Sequence, residues 1–176
     1  MADEKAVEHE SVRAAWAACR ILDPGSSEEE RRSVRHQVQL ATAVHGTHEL
    51  ARGTILLIDL LVRRLAAAPD DAEAEHEEHF DPLSGLIPPL VRQLSKLELA
   101  DPAHVPMVVG VLTAAAIGLD AVAWRDRFGE IPPAEALHLH FALWILADLY
   151  DTVLDGPGAA DSVIRAALDD TGGASG

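Results

Sequence analysis

Residues 105–124 read VPMVVGVLTAAAIGLDAVAW, and how this run is read decides the fold. Its length matches the roughly 20 residues that cross a bilayer as a helix. Three features oppose that reading: Asp120 lies inside it, much of it is alanine and glycine, and no basic cluster marks a cytoplasmic flank. A helix buried on all sides in a bundle explains the run better. The expectation is therefore no membrane span.

Working outward, every periodic signal is helical. No stretch alternates apolar and polar residues over strand length between turn signals. A first helix is expected over 4–22, with Val12, Trp16 and Cys19 on one face, broken by Asp23-Pro24-Gly25. Ser27 and Glu30 have the spacing of a capping box, which opens helical character over 28–68. Forty residues would extend about 60 Å, so a kink is expected near Gly46 or Gly53. Pro88-Pro89 can open a short helix to about residue 99. Two nearly all-apolar helices, 104–128 and 134–155, should form the centre, and a last helix at 160–168 precedes a disordered tail, 171–176. The fold expected is all-α: one domain over 1–170, a bundle of six or seven helices.

Length and composition fit that picture. A chain of 176 residues can bury a core without cross-links, and 48 % hydrophobic residues argues against wholesale disorder. The formal net charge of −15 disfavours sequence-independent nucleic-acid binding, because such a chain repels a phosphate backbone. The single cysteine, Cys19, excludes an intrachain disulfide and any zinc site built on several cysteines of one chain. The opening MADEKAVEHE carries no basic-then-apolar signal pattern, so a cytoplasmic location is expected. Twelve arginines against two lysines in an alanine-rich chain suggests a GC-rich bacterial genome.

Histidines and acids supply the candidate chemistry. His45/His48 and His76/His79 are each spaced i, i+3, which would put both rings on one helical face and suit a transition metal. Nine histidines in a chain of this length produce such pairs by chance, so no cofactor is expected. Glu-x-x-His occurs at Glu73/His76 and Glu135/His138, but the first lies in the strongly polar DAEAEHEEHFD (71–81). The second falls in the first turns of a helix, where a glutamate favours the dipole. Near the end of the last long helix, Asp148, Asp151 and Asp155 form one stripe behind His140 and Trp144. Carboxylates there oppose the macrodipole and call for water, an arginine or a cation.

Acids inside apolar runs are the sharper signals. Asp59 has Arg63 one turn on, in the favourable order. Asp120 and Asp148 have no basic residue three or four positions away. If buried, each needs a partner from another helix, with Arg52, Arg92, Arg125 and the Trp124 and Trp144 indoles available. These considerations nominate a ligand pocket made of Asp120, Trp124, His140, Trp144, Asp148, Asp151 and Arg52.

The leading expectation is a non-catalytic binding protein. It takes a partner protein or a small apolar ligand, uses the 28–68 helix and that pocket as contact surfaces, and self-associates as a dimer. The rival is a magnesium-dependent hydrolase or nucleotide-processing enzyme that gathers Asp148, Asp151 and Asp120. The third is a metal binder built on the histidine pairs.

Overall fold

A computed structural model describes residues 7, 9–20, 27–67, 81–98, 100–154 and 156–172. Among them are eight α-helical segments and one 3-10 turn, with no strand. They are α1 (His9–Arg20), α2 (Glu28–Ala66), α3 (Pro82–Gly85), α4 (Ile87–Leu94), α5 (Val105–Ala116), α6 (Ala121–Asp126), α7 (Pro133–Val153) and α8 (Ala159–Gly172), with the 3-10 turn Pro102–His104 before α5. Since α3 is a single turn, seven helices form the bundle, and the all-α single-domain expectation holds.

The start of α2 is the capping box that its sequence spells. Ser27 Oγ accepts from Glu30 N (3.2 Å), and Glu30 Oε2 accepts from Ser27 N (2.8 Å). These hydrogen bonds from Ser27 hold the Glu30 carboxyl below its usual range. The helix kinks at Gly46, whose backbone (φ 81°, ψ 162°) is open to glycine and strained for other residues. Gly53 plays a different part. A Cβ there would lie 3.0 Å from Ser11 C and O, so the missing side chain lets α1 cross α2 at backbone contact.

After the kink, α2 is the axis of the molecule. Ile55, Ile58, Leu61, Val62 and Leu65 are buried at helical spacing, and α2 as a whole meets α1, α3, α5, α6, α7 and α8. Before the kink, residues 28–45 form an arm that is mostly exposed along its length.

The expected helix 104–128 is two helices, which corrects the reading of the opening run. Gly118 (φ 81°) ends α5 in a left-handed cap, with Gly118 N donating to Ala115 O (3.1 Å) and Leu119 N to Ala114 O (2.9 Å). Asp120 then starts α6 by accepting from Ala123 N (2.9 Å). The aspartate inside the apolar run is a helix start, so the run never becomes one rod. No helix among the described residues is long and apolar enough to cross a membrane. The connector holding most of DAEAEHEEHFD, including Glu73, His76 and His79, lies outside the described residues, as do Asp155 and residues 173–176.

Candidate functional site

Of the pocket nominated from sequence, the structure gathers three members. Trp144, Asp148 and Asp151 border a cavity of about 530 Å³ between α1, α7 and α8, together with Trp16, Arg20 and Asp161. Asp151 accepts from Gly158 N (2.7 Å) and Ala160 N (2.8 Å), which answers the question its position raised. It lies near the carbonyl end of α7, but it satisfies free amides at the start of α8, where a negative charge is favoured. Asp148 is exposed at the rim. Asp161, on α8, accepts from Trp16 Nε1 (3.0 Å) and Arg165 Nε (2.6 Å). Partial burial pushes its carboxyl up, but those two donors outweigh it and hold the group below its usual range.

The other nominees lie elsewhere, each with a local purpose. Asp120 is exposed, caps α6, and does not border the cavity of Asp148 and Asp151. Trp124 covers Gly110 on α5, where an added Cβ would collide with the indole ring. Its ring also meets Phe128, at 5.0 Å between ring centroids, and it packs against the core. Arg52 is buried and donates to Asp126 Oδ2 (3.1 Å) and Glu49 Oε2 (2.9 Å). His140 lies against Thr54 Oγ1 (3.1 Å), and its Nδ1 donates to Ala136 O (2.8 Å). Burial pushes its pKa below the ordinary histidine value. The seven residues are thus five separate arrangements rather than one pocket.

The histidine pair that is described does not form a pair. Gly46 breaks the helix between His45 and His48, so i, i+3 spacing no longer implies a common face. His45 Nε2 faces Glu10 on α1 (3.6 Å), whereas His48 Nδ1 accepts from Ile131 N (3.1 Å) in the loop before α7. Among the described residues no group of three or more His, Cys, Asp or Glu side chains is placed to hold a metal ion.

Sequence reasoning singled out Arg125, Glu135 and His138 but missed the buried partnerships they make. Arg125, on α6, is 2 % exposed and grips Glu135 of α7 through two parallel bonds, Nε to Oε1 (2.5 Å) and Nη2 to Oε2 (2.9 Å). Its third bond goes from Nη1 to Gly129 O (2.9 Å). His138, one turn after Glu135, accepts from Asp101 N at Nε2 (2.6 Å) and donates from Nδ1 to Ala134 O (2.6 Å). Glu135 and His138 are therefore braces for the entry to α7, not ligands.

A second surface emerges along α1. Two hollows of about 500 and 320 Å³ run between α1 and the arm of α2, sharing Arg13, Ala17 and Gln37. The wall of α2 spans Glu30 to His45, about 22 Å of helix at 1.5 Å per residue. One end is apolar, with Leu40 (53 % exposed), Ala41 and Val44 (73 % exposed). The other end holds Arg20, Arg31 and Arg165 with Glu30 and Asp169, and Arg13 stands where the two hollows meet, so a third of the chain's arginines border the larger one. Trp16 and Arg20 border both this hollow and the tryptophan cavity. The signal was present in sequence as Leu40 and Val44 at i, i+4, but only the fold brings Arg165 to Arg13. No protein-family model, no curated protein and no solved structure matches the chain.

Proposed function

We propose that the protein is a non-catalytic binding module, and that its docking site is the groove between α1 and the arm of α2. The observation that carries this reading is the graded chemistry of that groove. It is apolar around Leu40 and Val44 and rich in arginine around Arg13 and Arg165, in a chain whose net charge is −15. The occupant that fits is an acidic amphipathic segment of a partner protein. Its apolar side chains would cover Leu40 and Val44 and its carboxylates would meet the arginines. A second copy of this acidic chain fits less well, since two large like charges repel.

Site-specific photo-crosslinking in the producing cell tests the reading. Crosslinkers at Leu40 and Val44 should yield one discrete adduct, absent from a crosslinker at Leu83 on α3, which touches neither α1 nor α8. Arg13→Glu should abolish that adduct. Equal adducts from Leu83, or adducts indifferent to Arg13→Glu, would contradict the proposal.

A further inference from the structure

We infer that a separate hollow between α1, α2 and α8 is a site for a small apolar molecule that carries an N–H or O–H donor. It lies on a different face of α1 from the groove and does not depend on the docking reading. The groove is lined from α1 by Glu10, Arg13, Ala14 and Ala17, and this hollow by His9 and Val12.

The cavity holds about 310 Å³. That is the small end for a ligand site and limits the occupant to about one or two rings. Its walls are apolar: Leu56 and Leu60 from α2, Val12 from α1 with Val7 just before it, and Ala167 and Leu168 from α8. On α2, Ile55, Ile58 and Leu61 are fully buried, whereas Leu56 is 39 % exposed and Leu60 is half-buried. The hollow thus leaves apolar surface of the axial helix uncovered, and an apolar body seated there removes it from water.

Three polar side chains border the hollow, and one of their atoms sets the ligand's chemistry. His9 Nε2 donates to Leu168 O (2.7 Å), which leaves Nδ1 of the neutral ring as an acceptor. Arg63 donates from Nε to Asp59 Oδ2 (2.7 Å) and from Nη2 to Leu119 O (2.6 Å), and its side chain is 43 % exposed. Asp59 stands in the α2 wall one turn from both Leu56 and Arg63, with its side chain 15 % exposed. Its Oδ1 is buried and accepts from no donor among the described residues. A buried acceptor without a donor is unfavourable, and native chains leave few of them. A donor on a molecule held against Leu56 and Leu60 satisfies that oxygen. Arg63 already balances the carboxylate charge, so a neutral N–H or O–H is enough.

The full chain is titrated with indole and with benzofuran, which keeps the bicyclic shape but has a ring oxygen in place of the N–H, following the Leu and Val methyl NMR signals. Indole should bind saturably with shifts at Val12, Leu56 and Leu60, and benzofuran should bind about tenfold more weakly. Asp59→Asn can turn an amide N–H₂ toward the hollow in place of Oδ1, so it should remove the preference for indole with circular dichroism unchanged. Ala167→Phe fills the hollow from α8 and leaves Asp59 in place, and it should weaken both ligands about tenfold. Equal affinity for benzofuran in the unsubstituted chain would overturn the donor requirement. A preference for indole that persists in Asp59→Asn would overturn the assignment to Asp59. Non-saturating shifts, shifts centred on Leu40 and Val44, or unchanged binding in Ala167→Phe would overturn the site itself.

Discussion

Arg125 and Glu135 face each other across the turn between α6 and α7 as a bidentate pair with almost no exposure, 2 % and 5 %. The pair fixes the angle at which α7 enters the bundle, because Arg125 also holds the Gly129 carbonyl of the connecting loop. A buried pair is a poor source of net stability but costly to break, since one partner alone leaves an uncompensated charge. Glu135→Gln and Arg125→Met should each lower unfolding stability by about 3–5 kcal/mol. The double replacement Arg125→Met with Glu135→Leu should recover most of that loss, read by urea denaturation.

Gly53 tests the crossing of α1 and α2. Alanine in a helix interior is ordinarily favoured over glycine by about 1 kcal/mol. At this position the added Cβ would press on the Ser11 backbone at 3.0 Å, and backbone cannot rotate away as a side-chain tip can. Gly53→Ala should therefore destabilise the protein, by about 1 kcal/mol net. A gain in melting temperature would show that α1 does not cross there.

Cys19 is an internal reporter on the same crossing. It is 2 % exposed on α1, and burial pushes its thiol up to about 12. A thiol reagent at neutral pH should react with the native chain only as fast as α1 opens. The rate should rise in Gly53→Ala and approach that of a free cysteine in denaturant.

His140 sets a pH dependence with a definite sign. Its pKa in the folded chain lies below the ordinary value because burial disfavours the charged ring. The unfolded chain therefore binds a proton first. This histidine's contribution to stability is complete above about pH 6.5 and is lost as pH falls from there toward the lower folded value. His140→Gln should flatten stability against pH over that window, measured by denaturation at fixed ionic strength.

Legibility from sequence divided along a physical line. Features encoded within a few residues were readable: the Ser27–Glu30 box, the Asp59–Arg63 pair at 2.7 Å and a kink at Gly46. Asp120 was misplaced although its signal was equally local. Gly118-Leu119-Asp120 is a left-handed stop followed by a cap, and the apolar residues on either side masked it. Asp151 and Arg125 depend on contacts seven to ten residues away through turns, so helical spacing gives no hint of their partners. The arginine hollow is least legible of all, because Arg165 joins Arg13 only when α8 packs beside α1.

The groove along α1 and the arm of α2 is the central claim, and amide hydrogen exchange on the complex with the crosslinked partner addresses it most directly. Slowed exchange confined to residues 10–20 of α1 and 30–45 of α2, relative to the chain alone, is the result the account predicts. Protection centred instead on α5 to α7, with the arm of α2 unchanged, would contradict it.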